Sequence, residues 1–299
     1  MRAFNIVLGL AAVMLPSMHA VPVQSISERQ STDQPSTIDG TPFRLAVRYA
    51  QGAYCQPSLQ RLLFSRGRVI YVAGDNARLP ITFVAYDELT NKVVVSHQGT
   101  NPTSAESVYI DAQYLPTLPD RRLNGCVDPG SAMHTGFQKA WADTADPILA
   151  AVKEQLTAHP GATLLVTGHS LGAALATLDS AYLRCNLPDV PLQTTVLGLP
   201  RVGNSKFADS IDRLHNGTFH YLVNGQDPVP HIPFRQLSYE HPTGEVWINP
   251  ANENEALSCP GRENSRCSNS VDPRTYNIGD HIGTYFERQL TGFPSPNLC

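Results

Sequence analysis

The sequence predicts an α/β fold built on one mainly parallel central sheet flanked by helices. Two observations carry that expectation. Short runs rich in β-branched residues alternate along the chain with longer segments of helical period. In addition, Thr163-Leu164-Leu165-Val166-Thr167 breaks at Gly168-His169-Ser170-Leu171-Gly172 and continues as Ala173-Ala174-Leu175-Ala176. That is a buried-strand pattern, a sharp turn and an alanine-rich helix around a G-x-S-x-G. With 299 residues and 41% hydrophobic content, the chain can bury one large core.

Taken in order, residues 1–20 have the layout of a secretory signal peptide. Arg2 is followed by an apolar run from Ile6 to Leu15 and by Ala20 at the cut. The run is too short to span a bilayer. Residues 21–41 are rich in Ser, Gln, Pro and Thr and read as a flexible leader or pro-segment. A single domain is expected over 42–299. Leu45, Ala46, Tyr49, Ala50 and Ala53 fall at helical spacing. Strands are expected at 69–73, 81–87 and 93–96, the last centred on Val93-Val94-Val95 and therefore central. Residues 101–132 contain Pro102, Pro116, Pro119, Gly125 and Pro129 and show no strong period. A loop this long in a compact domain is functional or mobile. Val108, Ala112 and Leu115 leave room in it for one short amphipathic helix.

Thr135 to Ala158 carries a helical stripe, with Pro147 either at a break or in the first turn of a second helix. The elbow strand and helix follow, the helix reaching about Cys185. Further strands are expected at 194–198 and 218–223. A hairpin is expected from Tyr239 to Ile248 around Pro242-Thr243-Gly244, and a last helix from Ile278 to Leu290.

The formal net charge is −4 and there is no Lys/Arg-rich run, which argues against a nucleic-acid partner. Cys55, Cys126, Cys185, Cys259, Cys267 and Cys299 fit an oxidising compartment. Cys259 and Cys267 are near enough to close a small loop; the partners of Cys126 and Cys185 stay open. Asn216-Gly217-Thr218 is an N-glycosylation sequon.

A serine hydroxyl is a weak nucleophile and needs a base, and the base needs an orienting acid. At an elbow of this kind, found in α/β-hydrolases, the chain order is Ser, acid, His. Asp227 follows strand 218–223 directly and suits the acid; Asp189, Asp209 and Asp212 read as surface. Candidates for the base are His231, His241 and His281. His231 is only four residues past Asp227, and His281, on a Gly-containing loop near the chain end, is preferred. Asp280 is the second-choice acid. Two oxyanion donors are expected, the backbone N–H of Leu171 and Thr100, which follows strand 93–96 through Gln98-Gly99. Losing one such donor costs about 3–4 kcal/mol of transition-state stabilisation. His134 and His169 read as packing residues or supports of the catalytic groups rather than bases, and Asp111 as surface, with a hydrogen bond near Thr100 as its second reading.

Ser96-His97-Gln98-Gly99-Thr100, His134-Thr135-Gly136-Phe137, the elbow, Pro200-Arg201-Val202-Gly203-Asn204 and Asp227-Pro228-Val229-Pro230 occur in that order. Together they resemble the secreted fungal lipase family, the class 3 lipases, which also contains feruloyl esterases. The likeness spans about residue 42 to the C-terminus. It implies an α/β-hydrolase fold with Ser170, Asp227 and His281 as triad, Thr100 and Leu171 as oxyanion hole, and a lid within 101–125. It also implies a Cys55–Cys299 bridge. Departures are Gln98 where relatives more often have arginine, Ala173 in place of a second glycine, and a lid without tryptophan, Tyr109 being the candidate in its place.

The resemblance thus implies a secreted, monomeric serine ester hydrolase acting on acylglycerols at a lipid–water interface. It implies no metal and no cofactor. The alternatives are an esterase of feruloyl, aryl or short-chain esters and, in another class, a non-catalytic lipid-binding protein on a hydrolase scaffold.

Overall fold

A computed structural model describes residues 34–55, 67–76, 79–101, 111, 113–248, 255–286 and 288–290. Among them, nine strands form one sheet: β1 (Ser36–Asp39), β2 (Gly67–Ala73), β3 (Thr82–Asp87), β4 (Lys92–His97), β5 (Thr163–His169), β6 (Leu192–Leu197), β7 (Phe219–Asn224), β8 (Glu245–Ile248) and β9 (Glu255–Cys259). Their spatial order is β1-β9-β8-β7-β6-β5-β4-β3-β2. The five strands from β4 to β8 are parallel. The flanks, β2-β3-β4 on one side and β8-β9-β1 on the other, are antiparallel. The parallel expectation therefore holds for the centre, where both faces are covered by helices.

The helices are α1 (Arg44–Gly52), α2 (Thr135–Ala142), α3 (Ala145–Ala158), α4 (Leu171–Asn186), α5 (Ser205–His215) and α6 (Ile278–His281). Alternation along the central strands sorts the core into two layers. Val93, Val95, Leu164, Val166, Val196, Tyr221 and Val223 face Trp141, Ile148, Leu175 and Leu178 of α2, α3 and α4. Val94 and Leu165 face Ala46 and Tyr49 of α1, and Leu197 and Leu222 face Val47 and Ala50. Under the elbow the buried Trp141 Nε1 donates to Asp179 Oδ1 at 2.7 Å, and His97 Nε2 lies 2.8 Å from Asp179 Oδ2.

Three segments differ from the sequence reading, and a fourth settles a choice that reading left open. Ser36–Asp39 is not part of a flexible leader but pairs with β9. It is a four-residue edge strand, mostly exposed, so it shows no buried period. Tyr239 to Ile248 is not a hairpin. Glu240 pairs with Gly203, and Gly244, at φ +105°, turns the chain into β8, parallel to β7. The partner that the hairpin lacked is β9, reached after 249–254. The last helix stops at His281, because the chain turns back at Phe286 (φ +47°) and pairs Thr284–Tyr285 with Arg288–Gln289. Tyr285, Phe286 and Leu290 still reach the core against Phe43 and Val47, which explains the apolar spacing that suggested a helix. Finally, the break in 135–158 falls at Asp143-Thr144, and Pro147 sits in the first turn of α3, where a missing N–H costs nothing.

Disulfides join Cys126 to Cys185 and Cys259 to Cys267. Cys55 is also disulfide-bonded; its expected partner Cys299 lies outside the described residues. So do the signal segment, residues 21–33, and most of the expected lid and its short helix. No helix among the described residues is long and apolar enough to cross a membrane.

Candidate active site

The elbow is formed as its composition requires. Ser170 sits between β5 and α4 at φ 59°, ψ −128°, a backbone state costly for a residue with a side chain. Its N–H donates to Leu197 O at 2.9 Å, and its carbonyl accepts from Ala173 N at 2.9 Å. The flanking glycines are demanded by contact. A Cβ on Gly168 would lie 2.2 Å from Gly172 O, and one on Gly172 would lie 2.3 Å from His97 O. Leu171 opens α4, so its amide is among the first-turn donors that have no partner within the helix.

Asp227 lies in the turn after β7, fully buried. Its Oδ1 accepts from Val229 N at 2.8 Å, and its Oδ2 lies 2.8 Å from His281 Nδ1. The buried Tyr285 hydroxyl lies nearby and donates to His281 O at 3.5 Å. His281 ends α6, whose start is capped by Asn277 Oδ1 accepting from Gly279 N at 2.9 Å. The rivals are occupied elsewhere. Asp280 accepts from Gln226 N and Asn277 Nδ2 rather than from an imidazole. His241 pairs with Pro230 O and stacks on Tyr221, and His231 stacks on Tyr276.

The loop after β4 is pinned to β3. Gln98 N–H donates to Ile81 O, and the buried Gln98 Oε1 accepts from Ile81 N at 2.9 Å. This neutral pairing accounts for glutamine at that position. Thr100 Oγ1 donates to Asp111 Oδ2 at 2.7 Å. Asp111 is exposed, as expected of a surface residue, yet it also holds this hydrogen bond; desolvation beside the cavity pushes its carboxyl up to about 6, more than the Thr100 hydrogen bond and the nearby His281 lower it. The sequence offers this contact only as the second reading of Asp111, because the two residues stand eleven apart and share no local pattern.

Ser170 and Leu171 open onto a cavity of about 460 Å³, walled by Asp111, Tyr114, Phe137, Pro200, Val229 and Phe234, among others. His134 also lines it. Its Nδ1 accepts from Phe137 N and its ring stacks on Phe137, as a packing residue should. Burial lowers its pKa to about 4, so it is neutral at pH 7. The cluster Glu245, Cys259 and Cys267 offers no metal site among the described residues, because both sulfurs are joined in one disulfide.

The family model described as "Lipase (class 3)" matches residues 94–237. The secreted mono- and diacylglycerol lipase MDL2 of Malassezia globosa is 36% identical over 97% of this chain and 94% of its own. The chain belongs to the class 3 lipases. A second relative, secreted mono- and diacylglycerol lipase 3 of Gibberella zeae, is 32% identical over 95% of this chain and 91% of its own. Among solved structures, a lipase from Rhizopus microsporus var. chinensis aligns with a TM-score of 0.71 at 27% identity, covering 86% of this chain and 92% of its own. Lip2 lipase from Yarrowia lipolytica gives a TM-score of 0.71 at 23% identity, covering 88% and 98%, and supports the fold. This class 3 lipase is thus a carboxylic ester hydrolase of the α/β-hydrolase fold.

Proposed function

We propose that the chain is a secreted serine lipase that hydrolyses mono- and diacylglycerols. The observation that carries the reading is the strained Ser170 at the floor of an apolar cavity, with the buried Asp227–His281 pair built at the end of the same sheet. Ser170 attacks the ester carbonyl as His281 takes its proton. Asp227 holds the imidazole and stabilises its charged form, Leu171 N–H and Thr100 receive the oxyanion, and water releases the acyl-enzyme. Tyr114, Ile232, Phe234 and Leu237 line the cavity and are also solvent-exposed, which suits an acyl chain entering from a lipid surface. The lid is assigned to 101–125, most of its first half lying outside the described residues.

A fluorophosphonate should label the wild-type protein and not Ser170→Ala. Monoolein and diolein should be cleaved faster than triolein, and methyl ferulate poorly. Turnover of methyl ferulate alone would sink the lipase reading, and an unlabelled wild-type protein would favour a non-catalytic lipid binder.

Residues 1–20 are removed on secretion. Asn216 carries a glycan: it is exposed, in the left-handed cap after α5, before β7 and away from the strand ends that hold the triad. The site is completed within one chain, so the enzyme works as a monomer. One mass series checks all three. The secreted protein should start near residue 21, lose mass with N-glycosidase, and have the molar mass of one chain by light scattering.

A further inference from the structure

Behind the catalytic groups lies a buried line of hydrogen bonds that the mechanism above does not use. His169 Nε2 is 2.8 Å from the carbonyl oxygen of His281. Its Nδ1 is 2.6 Å from the Tyr54 hydroxyl. That hydroxyl also packs against Gly99, where an added Cβ would lie 2.1 Å from its oxygen. We propose that Tyr54 and His169 are positioning residues, a relay that fixes the oxyanion loop and the base from behind; this rests on the roles given above to Ser170, Thr100 and His281.

The hydrogens along the line are fixed by elimination. A carbonyl only accepts, so His169 Nε2 carries the hydrogen that meets His281 O. In a neutral ring Nδ1 is then the acceptor, and Tyr54 donates to it. The Tyr54 oxygen is left with its lone pairs beside Gly99. The two hydrogen bonds of His169 therefore run in one order, which the His281 carbonyl prevents from reversing. Both side chains are buried, Tyr54 at 5% and His169 at 1% exposure. Burial, then the neighbouring His281, hold the His169 ring well below the ordinary histidine value, so the neutral form persists.

Each end of the relay touches a part that must not drift. Gly99 precedes Thr100, the second oxyanion donor. Glycine is the residue whose backbone is freest, so the peptide that presents the Thr100 N–H would be the loosest part of the hole. The contact is close: a Cβ on Gly99 would lie 2.1 Å from Tyr54 Oη and 2.6 Å from His169 O. At the other end, α6 is only four residues long, and its last carbonyl is that of His281 itself. The His169 bond ties that backbone to the residue before the nucleophile. Ring centroids of His169 and His281 are 4.5 Å apart. When His281 takes the Ser170 proton, a charged neighbour there would oppose it. The Tyr54 hydrogen occupies the Nδ1 lone pair and keeps His169 neutral.

Tyr54→Phe removes only the hydroxyl. On a soluble p-nitrophenyl ester, at a temperature well below unfolding, kcat per fluorophosphonate-titrated site should fall about 10- to 100-fold, as small misplacements of catalytic groups do. KM should stay within about twofold, because the relay does not touch the acyl cavity. In a double-mutant cycle with Thr100→Ala the two losses should fall short of additivity, since both act on the oxyanion. A wild-type kcat per titrated site overturns the relay, whether or not the melting temperature drops. So does strict additivity with Thr100→Ala. If the wild-type protein takes no fluorophosphonate, the Ser170 reading fails first, and that result is distinct.

Discussion

Asp227→Asn is expected to lower kcat by about 10⁴-fold with the fold intact, the loss known when the acid of a serine triad becomes an amide. The two oxygens of Asp227 have separate tasks. Oδ1 accepts from Val229 N at 2.8 Å, a backbone bond that an asparagine Oδ1 can keep. Oδ2 faces His281 Nδ1 at 2.8 Å. Replacing Oδ2 with an NH2 group sets a donor against Nδ1. The imidazole then places its hydrogen on Nε2, where it cannot accept a proton from Ser170. Because the side chain keeps its shape, the melting temperature should move far less than after Asp227→Ala. The measurement is kcat on a soluble ester with the titrated site count held equal. Asp227→Asn within tenfold of wild type would remove Asp227 from the triad.

How much of this could be read in the sequence depended on how local the cause was. The elbow was legible because its demands are local: two glycines where a Cβ would strike backbone, and a strand and helix either side. The Asp227–His281 pairing was legible on the Asp227 side because that residue follows its strand within a few residues. His281 was expected at the start of a long helix but ends a four-residue one. Its apolar neighbours pack on α1 from a turn, and periodicity alone does not separate those two arrangements. The strand Glu255–Cys259 and its edge partner Ser36–Asp39 pair over more than two hundred residues of sequence, and neither has an alternating buried face. Asp111, Tyr54 and Tyr285 act through contacts made only in the folded chain. A tyrosine beside Cys55 carries no signal of its partners, and for the aspartate within a proline-containing loop the sequence offers Thr100 only as the second reading.

The wall of the acyl cavity depends on a second long-range pairing, between Arg201 and Glu263. Arg201 Nε and Nη2 meet Glu263 Oε1 and Oε2, both at 2.7 Å, with each side chain 4% exposed. The third nitrogen, Nη1, donates to His231 O at 2.6 Å and Pro233 O at 3.1 Å. Ile232, Pro233 and Phe234 are cavity wall, so the guanidinium carries that wall on the carboxylate. Glu263 is placed by the loop that Cys259–Cys267 closes, and it also accepts from His241 N at 3.0 Å. Desolvation pushes its pKa up, but the Arg201 hydrogen bonds and nearby charges outweigh it and hold it well below the ordinary carboxylate value. Glu263→Ala leaves a buried cation unpaired and is expected to cost about 3–5 kcal/mol of stability. The pH dependence has a definite sign. A depressed folded-state pKa adds stability above the unfolded value of 4.5, and that stability is lost as pH falls below it. Thermal unfolding of the wild type should therefore weaken from pH 5 to pH 3 more steeply than that of Glu263→Gln, which has no charge to lose there. Because the wall moves with Arg201, the variant should also flatten the preference among p-nitrophenyl esters of increasing chain length. Unchanged chain-length preference together with parallel pH–melting curves would show that the pair neither holds the wall nor contributes its charge to the fold.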